Sequence, residues 1–390
     1  MKIAILTSGI MPVPAIRGGA VENLIDFYLE YNHQQELHDI TVYSVWHPDL
    51  DIHPALKSKV NHYQYIRMDG WWTKLKKSFY KKTQREGYYH YSIEYFLHEI
   101  IKKIRHKHFD IIIVENRPGF ILSLPKNKDT KYILHLHNDF LNTNSAHATE
   151  IYKRFHRIIS VSNYISNRVN QIEVNNPKSI TVYNAIDVQL YYDTKALNRE
   201  KMGFTKDDFI VVYSGRLNEE KGILQLIQAM KLLHHIPNIH LLIIGASNYG
   251  KDANPTPFIN KLEKEAGSIK NRINFTGFIN YKDVPSYLKM ADVAVVPSMW
   301  EEPFGLTVIE AMAAGLPLIT TRSGGIPEIC EGIATIVEKE NIVNNLAIAI
   351  QDLYVHPEKR EQIEKASLTH SNYYNKQRYS EDFFKALEKS

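Results

Sequence analysis

Residues 292–321 read DVAVVPSMWEEPFGLTVIEAMAAGLPLITT, and this stretch decides the predicted fold. It contains two short apolar runs, DVAVVPS (292–298) and LPLITT (316–321), separated by a segment with helical spacing. Parallel strands need a long crossover connection, which is usually a helix. The stretch therefore predicts a strand, a helix and a parallel strand. It places the polar turn around Glu302 at the carboxyl end of the first strand.

The same alternation of apolar runs and helical segments continues in both directions. The runs are continuous rather than alternating in polarity, which is typical of parallel strands covered by helices on both faces. They lie at 2–8, 39–45, 109–115, 131–137, 157–162 and 179–185, and then at 209–215, 240–246, 272–278, 292–298 and 316–321. We therefore expect an α/β protein with two doubly wound, Rossmann-like domains, whose ligands bind at the carboxyl ends of the strands.

A polar stretch at 185–204 lies between the two sets of strands and marks the predicted domain boundary. We predict an N-terminal domain over residues 1–190, a C-terminal domain over residues 191–370 and a final helix over residues 371–390. The tail from about Leu368 to Ser390 is expected to be helical throughout. Its apolar residues are Tyr373, Tyr374, Phe383, Phe384 and Leu387.

The composition is that of an ordinary folded protein. The 390 residues are 44% hydrophobic and 23% charged, which excludes disordered, collagenous and coiled-coil classes. No run approaches the roughly 18 apolar residues of a membrane-spanning helix. The chain starts directly with a strand, and its single cysteine, Cys330, cannot form an internal disulfide. We therefore expect a soluble protein of the cytoplasm.

The charge is distributed unevenly along the chain. Residues 1–185 carry a net charge of +7, whereas the remainder carries −3. The overall charge of +4 is too small to indicate nucleic acid as a partner. The segment WWTKLKKSFYKKTQR (71–85) has six basic residues and no acidic one, with Trp72, Leu75, Phe79 and Thr83 at helical spacing. This pattern fits either a helix lying on an anionic membrane surface or a solvated lysine face over a core helix.

Two common kinds of site are not expected. The first strand leads into SGIMPVPAIRGGA, which lacks the G-x-G-x-x-G spacing of nicotinamide dehydrogenases. His135 and His137 belong to one predicted strand, and we expect their rings to point away from each other, a poor arrangement for one metal ion. We therefore predict no metal site.

The sequence SGRLNEEKG (214–222) follows the opening strand of the second domain. Arg216 offers a planar guanidinium and Lys221 a mobile ammonium, and both precede a predicted helix start. Two cations and helix-end amides at the end of a strand suit a diphosphate. The alternative is that both cations pair with Glu219 and Glu220 on a solvated loop.

The turn and helix that follow Pro297 carry two glutamates, Glu302 and Glu310. We predict that the helix begins near Phe304, so that the amides of Phe304, Gly305, Leu306 and Thr307 lie in its first turn and lack intrahelical acceptors. Either carboxylate can accept hydrogen bonds from the vicinal hydroxyls of a sugar. Alternatively, Glu302 only complements the helix dipole and Glu310 is an ordinary exposed residue.

A third motif, Arg17-Gly18-Gly19, lies between the first strand and the first helix. Paired glycines allow a phosphate or a sugar ring to approach the backbone closely. A lone Gly-Gly pair is more often a simple turn, and the same applies to Gly324-Gly325.

Taken together, SGRLNEEKG and PSMWEEPFGLTVIEAMAAGLPLITTRSGGIPEI resemble glycosyltransferase family four, whose members are retaining enzymes of the GT-B fold. Glu302-x7-Glu310 matches the E-x7-E signature of that family. The resemblance implies two Rossmann-like domains that face each other across a cleft, with a C-terminal helix that returns to the N-domain. It further implies an acceptor-binding N-terminal domain and a nucleotide-sugar-binding C-terminal domain.

The resemblance also implies a role for each motif residue. Arg216 and Lys221 would neutralise the leaving diphosphate, and Glu302 would hold hydroxyls of the transferred sugar with the amides of Phe304, Gly305, Leu306 and Thr307. Glu310 would hold the ribose, and the backbone at Gly277 and Phe278 would meet the base. Gly18 and Gly19 would approach the donor phosphates, and His137 would lie near the donor sugar unless it is a satisfied core histidine.

The implied activity is that of a retaining hexosyltransferase. The donor would be a UDP- or GDP-linked sugar, and the acceptor a glycan, a lipid-linked molecule or another component of the cell envelope. No cofactor or metal ion is implied, and residues 71–85 would allow contact with the inner face of the membrane. The alternatives are a non-catalytic carbohydrate-binding or coat protein on the same fold, or a GT-B phosphorylase or epimerase.

Overall fold

The computed structural model describes residues 1–80, 90–246 and 256–388, with the side chains of residues 72, 79 and 80 left out. The chain divides into two compact units. The first comprises Met1–Asn184 together with Lys376–Ser390, and the second comprises Ala185–Asn375. Residues 81–85 of the predicted basic helix, including Thr83, lie outside the described residues.

Each unit contains one parallel sheet. The first sheet has seven strands in the order β3-β2-β1-β4-β5-β6-β7, and the second has six in the order β10-β9-β8-β11-β12-β13. The strands are β1 (Lys2–Leu6), β2 (Asp39–Val45), β3 (Asn61–Ile66), β4 (Ile111–Glu115), β5 (Lys131–Leu136), β6 (Arg157–Ser160), β7 (Ser179–Thr181), β8 (Phe209–Ser214), β9 (Ile239–Ile244), β10 (Ile273–Gly277), β11 (Val293–Val296), β12 (Leu318–Thr321) and β13 (Thr335–Val337).

Helices connect the strands in both units. In chain order they are α1 (Ala20–Gln35), α2 (Trp71–Tyr80), α3 (Tyr91–Ile104), α4 (Ala148–Arg154), α5 (Asn163–Asn170), α6 (Val188–Asp193), α7 (Ile223–Leu232), α8 (Pro257–Ala266), α9 (Val284–Leu288), α10 (Leu306–Ala313), α11 (Ile326–Cys330), α12 (Ile342–Val355), α13 (Pro357–Ser371) and α14 (Lys376–Glu388). The predicted doubly wound α/β architecture is confirmed.

The central strands are buried along their length, as their continuous apolar sequences require. Ile3, Ile5 and Leu6 in β1 and Val211 and Val212 in β8 are at most 1% exposed. Strands buried on both faces remove apolar surface from water on each face. Each Å² of apolar surface removed from water stabilises the folded chain by roughly 25 cal/mol. The sheets are thus rigid frames whose carboxyl ends position the loops that follow them.

The division between the units differs from the predicted boundaries at 190/191 and 370/371. It falls at 184/185 and again at 375/376. The physical reason is a short backbone pairing inside the second unit, in which the Ile186 amide donates to the Tyr374 carbonyl at 3.0 Å and Ile186 forms a bridge with Asn375. Both segments therefore belong to the second unit.

The C-terminal tail is not one continuous helix. Helix α13 ends at Ser371, and α14 begins at Lys376 after a short 3-10 turn. Phe383 stacks on Tyr28 of α1 with the ring centroids 4.2 Å apart, so α14 is part of the first unit as expected. In the parts of the chain that the structure describes, no helix has the length and apolar character needed to cross a membrane.

Candidate active site

The two motifs that follow β8 and β11 meet at an ion pair. The Lys221 ammonium lies 2.6 Å from Oε1 of Glu302, and the Ser298 hydroxyl donates to the same oxygen. Lys221 Nζ also lies 5.2 Å from the ring centroid of Trp300. Glu302 is buried, whereas the Lys221 side chain is 21% exposed. The Lys221 side chain therefore keeps partial contact with solvent beside the buried carboxylate.

The backbone holds these two loops together. Gly222 ends a short 3-10 turn at Glu219–Lys221 with φ of +70°, and a Cβ at this position would lie 1.8 Å from the Pro297 carbonyl oxygen. The amide of Met299 donates to the Glu220 carbonyl at 2.8 Å. A side chain at 222 would push the loops apart, so the glycine fixes the approach of Lys221 to Glu302.

Arg216 is exposed and makes no ion pair with any residue that the structure describes. The alternative in which both cations pair with neighbouring glutamates is not found, because Glu219 instead lies 3.0 Å from Lys261. The Tyr213 hydroxyl donates to the Arg216 carbonyl at 2.7 Å.

The buried Tyr213 phenol links Arg216 to Glu302 electrostatically. Burial raises the pKa of Tyr213 well above its usual range; the Glu302 carboxylate raises it further, while the Arg216 guanidinium lowers it. Both charges therefore lie near enough to the Tyr213 hydroxyl to act on it.

The helix after this turn begins later than predicted. Helix α10 starts at Leu306, and Gly305 is its N-cap with φ of +112°. Phe304 precedes the helix, and its ring is buried with its centroid 6.0 Å from that of Tyr374. The expectation that Phe304 and Gly305 belong to the first turn is therefore wrong. Leu306 and Thr307 do belong to it, and they are half-buried.

A second glycine pair, Gly324-Gly325, which the sequence alone left as a simple turn, contacts the backbone of Glu302. The Gly325 amide donates to the Glu302 carbonyl at 2.8 Å, and a Cβ on Gly324 would lie 2.2 Å from the same oxygen. The Gly324 amide donates to the Glu301 carboxylate, which also pairs with Lys339 at 2.6 Å. The loop thus fixes the backbone of Glu302 and leaves its side chain directed at Lys221.

Glu310 is 9% exposed, so it is not the ordinary surface residue of the alternative interpretation. Burial raises the pKa of its carboxyl to about 7, and its side chain forms no hydrogen bond within the described residues. The Glu310 carboxylate in turn raises the pKa of the Tyr191 and Tyr281 phenols, after the larger effect of their own burial. A buried carboxylate without hydrogen bonds is costly, which favours a ligand-binding role.

Strands β8, β9 and β10 each end at or beside a glycine, and the backbones of these glycines lie close together. The Gly245 amide donates to the Gly277 carbonyl at 3.1 Å, and a Cβ on Gly245 would lie 1.9 Å from the Gly215 carbonyl oxygen. A Cβ on Gly277 would meet nothing within 4 Å, and Phe278 beside it is half-buried. The predicted base-binding backbone therefore lies at the carboxyl edge of this sheet.

His137, Gly18 and Gly19 belong to the first unit. A Cβ on Gly18 would meet nothing within 4 Å, whereas one on Gly19 would lie 2.3 Å from the Glu22 carboxylate. Glu22 is buried, and burial raises its pKa to about 7. Gly18 thus leaves open space beside the backbone, and Gly19 accommodates a neighbouring carboxylate.

The expectation that His135 and His137 point away from each other is wrong. Residues two apart along a strand share a face, and the two ring centroids are 4.1 Å apart. Both rings contact Oε2 of the buried Glu115, at 3.1 Å from His135 Nδ1 and 3.0 Å from His137 Nε2. These three residues form the one group of possible metal ligands found within the described residues. Sequence reasoning missed Glu115 because nothing local links it to the histidines.

Two doubly wound units, with a lysine–glutamate pair at the strand ends of the second and a buried glutamate in the following helix, form the arrangement that is expected of a GT-B glycosyltransferase. Two family models match the chain: "Glycosyltransferase Family 4" over residues 32–190 and "Glycosyl transferases group 1" over residues 194–369. The chain belongs to glycosyltransferase family four, as its motifs predict, and is a glycosyltransferase.

Individual proteins show the same likeness. Spore coat protein SA of Bacillus subtilis is 28% identical over the full length of both chains. The lipopolysaccharide 1,2-N-acetylglucosaminetransferase of Salmonella typhimurium is 26% identical, over 70% of this chain and 71% of its own. The crystal structure of Anabaena HepE in complex with UDP-glucose superposes with a TM-score of 0.73 and 19% identity, covering 100% of both chains. The last similarity confirms the fold.

Proposed function

We propose that the protein transfers a hexose, with retention of anomeric configuration, from a UDP- or GDP-linked sugar to a glycan, a lipid-linked molecule or another acceptor of the cell envelope. The second unit binds the donor and the first unit binds the acceptor. The observation that carries this proposal is the contact between Lys221 and Glu302, which joins a cation suited to a diphosphate to a carboxylate suited to sugar hydroxyls.

The ion pair suggests how the donor is received. Without a ligand, the Lys221 ammonium is neutralised by Glu302 at 2.6 Å. A bound diphosphate brings its own negative charge to Lys221 and to the exposed Arg216, which releases Glu302 to accept hydrogen bonds from the transferred sugar. As the sugar–phosphate bond breaks, charge develops on the diphosphate. Each well-placed cation then lowers the barrier by about 3–4 kcal/mol.

The remaining donor contacts follow from the geometry of α10 and β10. The first-turn amides of Leu306 and Thr307 suit oxygens of the sugar or its phosphate. The Glu310 carboxylate is proposed to accept from the two ribose hydroxyls, and the backbone at Gly277 and Phe278 to contact the base. Roles of His137, Gly18 and Gly19 at the donor remain predictions.

Retention is proposed to need no carboxylate nucleophile, because a phosphate oxygen of the donor accepts the proton of the acceptor on the attacked face. No metal ion is proposed for the diphosphate, since Lys221 and Arg216 supply positive charge there. The HepE complex with UDP-glucose supports a nucleoside-diphosphate sugar as the donor. The Salmonella relative, by its name, acts on lipopolysaccharide, which supports an envelope acceptor.

Contact with an anionic membrane is a further part of the proposal. In α2, Lys74 and Lys76 are exposed together with Trp71 and Leu75, which are 65% and 44% exposed. Exposed lysines beside apolar side chains suit the surface of acidic lipids. Sedimentation with acidic and with neutral vesicles at low salt tests this contact. Equal recovery in the supernatant with both kinds would contradict it.

The experiment that tests the donor is a thermal-shift panel of nucleotide sugars. A bound donor stabilises the folded chain by mass action, by about 2.7 kcal/mol at 100 times its dissociation constant. The best responder should lose its effect in the Lys221→Ala variant and keep it in Lys231→Ala, because Lys231 pairs with Glu265 of α8 and with no residue of the proposed site. A panel in which no nucleotide sugar shifts the melting temperature would refute the proposal.

A second candidate is a non-catalytic coat or carbohydrate-binding protein, because spore coat protein SA matches the full chain. A binder has no use for charge aimed at a leaving group, so Lys221→Ala would weaken binding without any turnover to lose. Release of nucleoside diphosphate in the presence of acceptor separates the two candidates. No observation favours a phosphorylase or an epimerase.

A further inference from the structure

The hydroxyl of Ser298 is the second hydrogen-bond donor to the carboxylate of Glu302 in the second unit. It donates to Oε1, the same oxygen that lies 2.6 Å from the Lys221 ammonium. Within the described residues, Oε2 of Glu302 accepts no hydrogen bond. The two oxygens of a carboxylate can both accept hydrogen bonds. The protein therefore uses Oε1 twice and leaves Oε2 without a partner, and the proposed function gives the Ser298 hydroxyl no task.

Ser298 is held more firmly than Lys221. Its side chain is fully buried, whereas that of Lys221 is 21% exposed. The Ser298 carbonyl accepts from the hydroxyl of Thr321 at 2.6 Å and from that of Ser323 at 2.9 Å. Thr321 is the last residue of β12, which pairs with β11, the strand that ends just before Ser298. A serine side chain has few rotamers, so this fixed backbone also fixes the position of the hydroxyl.

Binding of the proposed donor removes one of the two contacts at Oε1. In the proposed function, the diphosphate takes up the charge of Lys221 and releases Glu302. The Ser298 hydroxyl is then the remaining donor to Oε1 among the described residues. Glu302 is 6% exposed, and a buried acceptor without a partner bears the full cost of its lost hydration. Ser298 therefore matters more to the ligand-bound state than to the free state.

We infer that Ser298 is a positioning residue, whose hydroxyl holds Oε1 of Glu302 while the donor is bound, so that Oε2 accepts from one particular hydroxyl of the transferred sugar. This inference rests on the proposed function, which supplies the sugar. Ser298 acts through Glu302 and itself touches no substrate.

The competing interpretation is that Ser298 merely satisfies its own buried hydroxyl, and that other contacts orient Glu302. The Gly325 amide binds the Glu302 carbonyl and therefore fixes its backbone. Rotation about the side-chain bonds is limited only by contacts of the carboxylate itself. In the described part of the chain, Lys221 and Ser298 make those contacts, and the proposed donor removes the first. The geometry therefore favours a positioning role for Ser298.

A double-mutant cycle between the protein and the sugar tests this role. Calorimetry with the full chain measures the dissociation constants of the nucleotide sugar that stabilises the wild type most and of its monodeoxy analogues. The hydroxyl that Glu302 binds is the one whose removal weakens binding to the wild type about 10- to 100-fold, but has little effect in Glu302→Ala. In Ser298→Ala, removal of the same hydroxyl should have an effect about three- to tenfold smaller than in the wild type, because Glu302 is no longer fixed.

Ser323→Ala is the matched control. It also removes a fully buried serine hydroxyl, but the Ser298 carbonyl still accepts from Thr321 and the carboxylate of Glu302 loses no contact. This variant should therefore show the full wild-type effect. Ser298→Cys keeps a weaker donor and should give a smaller loss in the same direction. It takes the place of Ser298→Ala if that variant does not fold.

Two results would overturn the inference while the wild type still binds its nucleotide sugar. One is an equal effect of removing the hydroxyl in the wild type and in the Ser298 variants. The other is the absence of any sugar hydroxyl whose effect depends on Glu302. A wild type that binds no nucleotide sugar is a different outcome, which would refute the proposed function and the inference with it.

Discussion

Replacing Gly222 with alanine should separate the two loops that form the Lys221–Glu302 pair. The added Cβ would lie 1.8 Å from the Pro297 carbonyl oxygen, so one of the loops must shift by more than an ångström. Overpacking of this kind costs about 1–3 kcal/mol. The backbone at Gly222, with φ of +70° and ψ of +13°, adds about 1–2 kcal/mol for any residue with a Cβ.

Gly203→Ala is the matched control. Gly203 also ends a 3-10 turn, with φ of +81° and ψ of +12°, but a Cβ there meets nothing within 4 Å. Both substitutions have a similar free-energy cost for the left-handed backbone. The difference between their melting temperatures therefore isolates the effect of the clash with Pro297. At about 2–4 °C per kcal/mol for a unit of this size, Gly222→Ala should melt about 2–12 °C below Gly203→Ala.

Scanning fluorimetry with and without the preferred nucleotide sugar measures both consequences. Gly203→Ala should keep the ligand-induced shift in melting temperature, and Gly222→Ala should lose it because Lys221 no longer reaches Glu302. Equal melting temperatures and equal ligand shifts in the two variants would refute the idea that close backbone contact at Pro297 builds the site.

Three further predictions concern the charges of the site. Lys221→Ala and Arg216→Ala should each lower turnover by about 100-fold at saturating donor, because each removes a cation that we propose to stabilise the leaving diphosphate; a near-wild-type rate for either would contradict its proposed role. Glu310→Gln should remove a pH dependence of stability: the folded chain holds the Glu310 proton up to a pKa of about 7 and the unfolded chain up to 4.5. Wild-type stability should therefore fall relative to Glu310→Gln by up to about 3 kcal/mol as the pH rises through that window. If the melting temperatures of the wild type and of Glu310→Gln change by the same amount between about pH 4.5 and pH 8, this prediction is wrong. Finally, prior treatment with EDTA should leave the transfer rate unchanged, since we propose that Lys221 and Arg216 supply the positive charge at the diphosphate; a loss restored by a divalent cation would overturn this expectation.

The fold could be predicted from the sequence wherever burial leaves a local pattern. Non-edge strands such as β2 and β8 are largely apolar and buried because both faces are covered, and their positions match the predictions within one residue. Two strands at sheet edges were missed. β3 reads NHYQYI and β13 has three residues, so neither presents a continuous apolar run.

The sequence by itself determined the α/β architecture and the chemical types of the site residues. Only the tertiary structure decided which of them meet. Lys221 and Glu302 are 81 positions apart, and Glu115 is 22 positions from His137. Periodicity reports how each residue is buried within its own strand or helix, whereas pairing across a sheet depends on strand order and on close backbone contacts such as that of Gly222 with Pro297. These contacts have no signature in the local sequence, because they arise only when the carboxyl ends of separate strands are brought to the same edge.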